Sequence, residues 1–318
     1  MTSLAENSQL NLRKQTSVSN IIDTVFVWVT RIFAIAIALL LIVIAIQVFG
    51  KALPSIQRFG LGFLVGTSWD PVKEVYGAWP HIYGTLITAF IALIIALPIG
   101  IGVAVFLSED FLPPRIQTIL AFLIELLAAI PSVVYGVWGL FVLVPLMRSL
   151  GLWIYKNPVL GKIPFFSTSP AGPGIYVAGT VLAIMILPII AAISRDSLVS
   201  VPKPLREASV GLGATRWETI FKVLIPAASS GIIGGTMLAL GRALGETMAV
   251  TMLIGNANKL PKSIFDGGST VAALLANQFA EASGLQVASL MYAALVLFGL
   301  TLLVNILAEV IVRRIRQI

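Results

Sequence analysis

Six long apolar runs leave this chain few ways to fold. They lie near residues 26–49, 82–107, 117–145, 174–194, 224–254 and 285–309. Each is long enough to cross about 30 Å of hydrocarbon as a helix. A single water-soluble core could not hide them. The 318 residues are 58% hydrophobic and 11% charged, and the mean hydropathy is +0.99. The fold class expected is therefore an all-α polytopic membrane protein with six transmembrane helices. The fifth run is too long for one straight span and carries charge, so it should continue past the bilayer or break within it.

Residues 1–24 are polar and carry Arg13 and Lys14, which reads as a flexible cytoplasmic tail preceding a membrane domain over 25–318. The first apolar run starts too late and runs too long for a cleaved signal peptide. Basic residues mark cytoplasmic loops. With the N-terminus inside, the cytoplasmic side receives twelve basic residues, among them Arg195, Lys203, Arg206, Arg216, Lys222 and the C-terminal Arg313, Arg314 and Arg316, against eight outside (Lys51, Arg58, Lys73, Arg148, Lys156, Lys162, Lys259 and Lys262), a moderate bias. An even number of spans then returns both termini to the cytoplasm and places the loop at about 195–226 there too. The formal charge of +7 is read as this bias and as contact with membrane lipid headgroups, not as affinity for nucleic acid. The outer loops 50–81 and 146–173 contain Trp69-Asp70-Pro71 and Trp153-Ile154-Tyr155. The aromatics there are read as interfacial anchors, with a docking surface for an external partner as the alternative.

The 195–226 loop is far more charged than its neighbours. Pro202 and Pro204 should break any helix continuing from the fourth span. A short helix over 205–212 would place Glu207 near its N-terminus, where the helix dipole favours negative charge. Gly213 is a natural stop. A second helix over 215–221 would carry Trp217 and Phe221 on one face. The result is an amphipathic hairpin, read either as a docking element or as a helix lying on the headgroups.

Two polar sites interrupt the spans. Arg242 and Glu246 lie four residues apart in Gly241-Arg242-Ala243-Leu244-Gly245-Glu246-Thr247, and on a continuous helix they would share a face. Ionisable groups at membrane depth are expensive and face a bundle interior or a wet cavity. Either the two form a structural salt bridge, or Arg242 attracts an anion that Glu246 holds in place or keeps from being trapped. Guanidinium suits the second role, since it stays charged and offers a planar fork. The pairs Gly231/Gly235 and Gly241/Gly245 should permit close helix approach. Glu125 is a further intramembrane carboxylate, followed by Pro131, Ser132 and Tyr135. That proline frees backbone groups which need partners, so the turn should line protein or water. Glu125 is read as an arginine partner, either across the bundle to Arg242 or near the cytoplasmic interface.

Little else suggests chemistry. Gly161-Lys162 is followed by Ile163, where a phosphate-binding loop needs Ser or Thr. The single His81 has no ligand cluster and is read as interfacial, so no metal site is expected. Cysteine is absent, which excludes disulfides and thiolate metal sites. The chain is therefore not expected to be an enzyme or to bind a cofactor itself.

Two groups of residues carry a family resemblance. Glu207-Ala208-Ser209, Gly213 and Val223-Leu224-Ile225-Pro226 resemble the coupling motif of ABC-importer permeases, with Ser209 in place of an alanine. In that family the motif is a helical hairpin that docks on a separate ATPase. The resemblance thus implies a type I permease architecture and a coupling surface built from Glu207, Ala208, Ser209, Gly213, Arg216 and Trp217. Trp69-Asp70-Pro71-Val72, Tyr83-Gly84-Thr85-Leu86, Ile130-Pro131-Ser132-Val133-Val134-Tyr135-Gly136 and the 241–247 segment resemble phosphate-specific permeases of the PstC type. This implies a phosphate path through Arg242, Glu246, Ser132, Tyr135 and Glu125 in a bacterial inner membrane. It further implies a PstA-type sister permease, a PstB-type ATPase dimer holding ATP and magnesium, and a PstS-type phosphate-binding protein outside. A PstA-type role, another oxyanion such as sulfate or molybdate, and an ion-driven secondary carrier are the rival readings.

Overall fold

The computed structural model describes residues 23–310. The expected tail over 1–24 falls almost wholly outside the described residues, as do the arginines at 313–316. The chain divides into two compact units between Lys51 and Ala52. The division falls within the first span, α1 (Asp23–Phe59), whose most apolar window has a mean hydropathy of 3.1. In the first unit the Arg31 guanidinium lies 5.7 Å from the Trp28 ring centre.

The second unit is organised around two helices, α2 (Trp79–Ser108) and α5 (Ile175–Val199), which pack side by side. Glycines set their separation: a Cβ on Gly100 would collide with Ile190, and one on Gly179 with Ile91. The most apolar window of α5 is 67% buried, so it reads as the central helix and not as a lipid-facing one. α3 (Pro114–Ala128) also lies against α5.

The expected third span, 117–145, is corrected to two helices. α3 stops at Ala128, and α4 (Ser132–Lys156) begins after Pro131, whose ψ of 138° is extended. The Tyr135 hydroxyl donates to the Leu127 carbonyl at 3.0 Å, so a side chain satisfies a group freed by the break. α4 then runs past Pro145, through a π-turn over Gly139–Leu143. Trp153 and Tyr155 are therefore helical, and the loop expected over 146–173 begins only after Lys156.

Beyond α5 come α6 (Lys203–Gly211), α7 (Arg216–Ala227) and α8 (Ser229–Gly245), the last two meeting at 68°. Another π-turn, Ile220–Leu224, again precedes a proline, Pro226. The long fifth run is thus broken twice, at this bend and again after Gly245. α9 (Met248–Leu253) follows and crosses α4 at Gly136, which lies against Ala249 and Met252. α10 (Val271–Gln278) leads to the last span, α11 (Gly284–Val310). Among the described residues five helices are long and apolar enough to span, or six with the bent α7–α8 pair taken as one.

The end of α2 away from the α6–α7 hairpin is capped by a two-stranded antiparallel ribbon, β1 (Trp69–Asp70) and β2 (Val75–Tyr76), with Trp69 opposite Tyr76. The anchor reading fails for Trp69, which is only 6% exposed. Its ring meets Phe63, Tyr76 and His81 edge-on, and its Nε1 donates to Gln278 Oε1 at 2.8 Å. Burial, with Glu74 adding to it, raises the Tyr76 phenol above the usual tyrosine range. His81 is fully buried beside Asn258 Oδ1 at 3.3 Å, so it is a core residue and not an interfacial one. The Tyr83-Gly84-Thr85 segment clamps α2 to the start of α10. Gly84 faces the Ser269 carbonyl so closely that any side chain would collide with it, and Thr85 Oγ1 accepts from the Val271 amide at 3.0 Å.

Candidate functional site

The α6–α7 hairpin is built by three local devices. Pro202 precedes α6 and Pro204 sits within its first turn, where a missing N–H costs nothing. The helix therefore starts earlier than expected, at Lys203. Glu207 falls beyond the first turn, so the dipole argument for it does not hold. At the other end Gly213 adopts φ +87°. The Ala214 amide returns to the Ser209 carbonyl at 3.1 Å and the Gly213 amide to Val210 at 2.9 Å, the two bonds of a Schellman stop. Next, Thr215 and Glu218 form a reciprocal capping box that opens α7. Lys222 Nζ donates to Glu218 Oε1 at 3.0 Å. The Thr-x-x-Glu spacing was readable in the sequence and is missing from the expectations above.

Ser209, the residue that departs from the coupling motif, is not on the hairpin surface. Its hydroxyl lies 3.0 Å from that of Thr219, and both residues are buried. Ser209→Ala should orphan the Thr219 hydroxyl and loosen the hairpin by about 1–2 kcal/mol. Hydrogen exchange of hairpin amides should then quicken about tenfold. Adding Thr219→Val should restore most of the protection, because neither polar group then remains. Equal exchange in wild type and Ser209→Ala would show that the contact carries no stability.

Glu207 and Ala208 are exposed, as are Leu205, Val210 and Leu212, the last at 90%. Arg216 and Trp217 are exposed too, on the side of the hairpin that meets Phe111. The Arg216 guanidinium lies 3.8 Å from the Phe111 ring centre, and Trp217 packs between Phe111 and Phe221. At the hairpin base Arg206 pairs with the buried Glu109 at 3.0 Å, tying α6 to the end of α2.

The polar residues that interrupt the apolar runs separate into two places. Glu125 lies 4.0 Å from Arg195 on α5, so its partner is not Arg242. Arg242 stands in the last turn of α8, is exposed, and has no ion pair among the described residues. The helix ends at Gly245, and Glu246 takes an extended conformation with ψ 125°. This break separates two side chains that a continuous helix would have stacked. The Glu246 carboxylate instead accepts from the Ala249 amide at 3.3 Å, at the start of α9. Because α9 crosses α4, the same end of the bundle holds Tyr135, within electrostatic reach of Arg242, and the half-buried Ser132.

Arg242 lines an open groove of about 720 Å³ with Ile189, Gly234, Leu238, Gly241 and Asn305. Asn305 is an amide near the far end of α11 from Gln286 that the sequence expectations omit, although an amide within an apolar span is itself a signal. The two glycine pairs behave differently. Gly231 and Gly235 face Ser197 and Ile193 of α5, whereas a Cβ on Gly241 or Gly245 would meet nothing within 4 Å. One face of α8 thus packs inside the chain, and the other, bearing Arg242, is left open. A guanidinium costs about 3 kcal/mol or more at the bilayer centre, so this face is not one to expose to lipid. Among the described residues no cluster of His, Asp or Glu could hold a metal ion.

Residues 96–317 match the family described as binding-protein-dependent transport system inner membrane component. The chain is 46% identical to the phosphate transport system permease protein PstC of Pasteurella multocida, over 98% of this chain and 96% of that protein. It is also 46% identical to the protein of the same name from Haemophilus influenzae, over 93% and 95%. Its fold is similar to a chain of the inward-facing MetNI methionine ABC transporter, with a TM-score of 0.53 and 20% identity over 75% of this chain and 94% of that one. That likeness concerns the fold alone, which is that of a type I ABC-importer permease. The chain belongs to the binding-protein-dependent transport system inner membrane component family, in its PstC branch.

Proposed function

We infer that this chain is the membrane permease subunit of an ATP-driven phosphate importer. One observation carries the reading: an exposed Arg242 guanidinium without an ion pair among the described residues, inside a span, in a chain 46% identical to proteins named as phosphate permeases. An unpaired guanidinium in a low-dielectric groove is a fixed attractor for an oxyanion. Glu246, held at the start of α9, opposes permanent capture of the anion, while Tyr135 and Ser132 offer hydroxyls on the same path.

The open face of α8 fits a sister permease of the PstA type, which would complete the cavity. The exposed Glu207, Ala208 and Leu212 around Gly213 fit a PstB-type ATPase dimer, which holds ATP and magnesium. A PstS-type protein delivers phosphate at the ribbon end, and both termini lie in the cytoplasm of a bacterial inner-membrane system. The tight packing of α2 on α5 supports alternating access by rigid-body movement about the open face of α8.

Labelled-phosphate uptake into cells lacking this gene, with the gene restored on a plasmid, tests the reading. Uptake should return, should require ATP, and should resist excess sulfate or molybdate. Competition by either anion would assign a different oxyanion, and uptake without ATP would assign an ion-driven carrier.

A further inference from the structure

A second groove, of about 600 Å³, opens between α2 and α7. Pro98, Gly102 and Phe106 form one wall, at the four-residue spacing of a single helix face; Trp217 and Phe221 form the other, with Phe111 at the hairpin end. Pro98 lies ten residues before the end of α2, about 15 Å along the helix. The groove therefore climbs from the hairpin into the hydrocarbon. It is open at Gly102, where an added Cβ would meet nothing within 4 Å. Its size falls within the roughly 300–1,000 Å³ of ordinary ligand pockets.

A single cation stands at the Phe111 end of the groove. Arg216 is exposed, its guanidinium over the Phe111 ring, and it has no ion pair among the described residues, whereas the nearby Lys222 is paired with Glu218. An apolar trough at membrane depth, with an unpaired guanidinium at its interfacial end, matches an acyl chain joined to a phosphate. We propose that the α2–α7 groove binds one anionic phospholipid, with its acyl chain between Phe106 and Phe221 and its headgroup phosphate on Arg216. Because α7 continues directly from the hairpin, an occupying lipid holds the hairpin at a set angle to α2. The proposal assumes nothing about the transported solute.

Trp217 supplies the probe. The full chain, purified with whatever subunits accompany it, is placed in phosphatidylcholine vesicles containing bromine-labelled phosphatidylglycerol or bromine-labelled phosphatidylcholine. The Trp217 component is taken as the difference from Trp217→Phe. Brominated phosphatidylglycerol should quench it at about fivefold lower mole fraction, the effect of one basic contact at a membrane surface. Arg216→Gln should abolish that preference, and Gly102→Leu should abolish quenching by both lipids. The remaining tryptophans report that each variant is folded. Equal quenching by the two lipids in the wild type would reduce the site to ordinary boundary lipid and overturn the proposal. Absence of quenching by either would mean that protein covers the groove, and a preference surviving both substitutions would place the lipid elsewhere.

Discussion

Arg242→Gln is expected to lower phosphate uptake about a hundredfold while the chain still reaches the membrane. A hydrogen bond to a charged group contributes about 1.5–3 kcal/mol, and a low-dielectric groove puts Arg242 at the upper end of that range. A loss of about 2.7 kcal/mol corresponds to two orders of magnitude in rate. Arg242→Lys should lose about tenfold, since the charge remains but the planar fork does not. The double variant with Glu246→Gln separates substrate contact from structure. Glu246 accepts from the Ala249 amide and not from Arg242, so removing both charges should leave uptake as low as Arg242→Gln alone. Uptake of labelled phosphate, normalised to immunoblotted membrane protein, measures all three. Recovery of the double variant to near wild type would refute the anion contact and make the pair structural.

Gly213→Pro should abolish uptake without removing the protein from the membrane. Proline requires φ near −65°, whereas this residue sits at +87°. It would also delete the amide that bonds to the Val210 carbonyl. Gly213→Ala is milder. Its Cβ would meet nothing within 4 Å, so its cost is the left-handed backbone alone, about 1–2 kcal/mol. Glu207→Lys complements both, because it alters an exposed side chain beyond the first turn of α6 and leaves the Schellman stop intact. It should weaken ATPase co-purification without changing hairpin hydrogen exchange. Normal uptake and normal ATPase retention in both Gly213→Pro and Glu207→Lys would exclude the hairpin as the coupling element.

The spans and the hairpin were legible because their causes are local in the chain. Hydrocarbon transfer sums along a run of residues, so the apolar stretches stand out whatever they pack against. A positive φ is a property of one residue, so Gly213 announces the turn by itself. The Thr215–Glu218 box is equally local and could have been read. The pairings were not legible, since each depends on where a helix stops or which helix lies alongside. Arg242 and Glu246 are four apart in sequence, yet the break at Gly245 assigns the carboxylate to α9 and leaves the guanidinium open. Glu125 meets Arg195 because α3 packs on α5, a contact that no spacing predicts. Trp69 and His81 look like interfacial residues in a loop until the ribbon folds over α2 and buries them. Ser209 looks like a neutral departure from a motif until α7 brings Thr219 to its hydroxyl. Hydropathy and backbone conformation are properties of residues one at a time and so determine spans and turns, whereas partners for buried polar groups are settled only when distant segments meet.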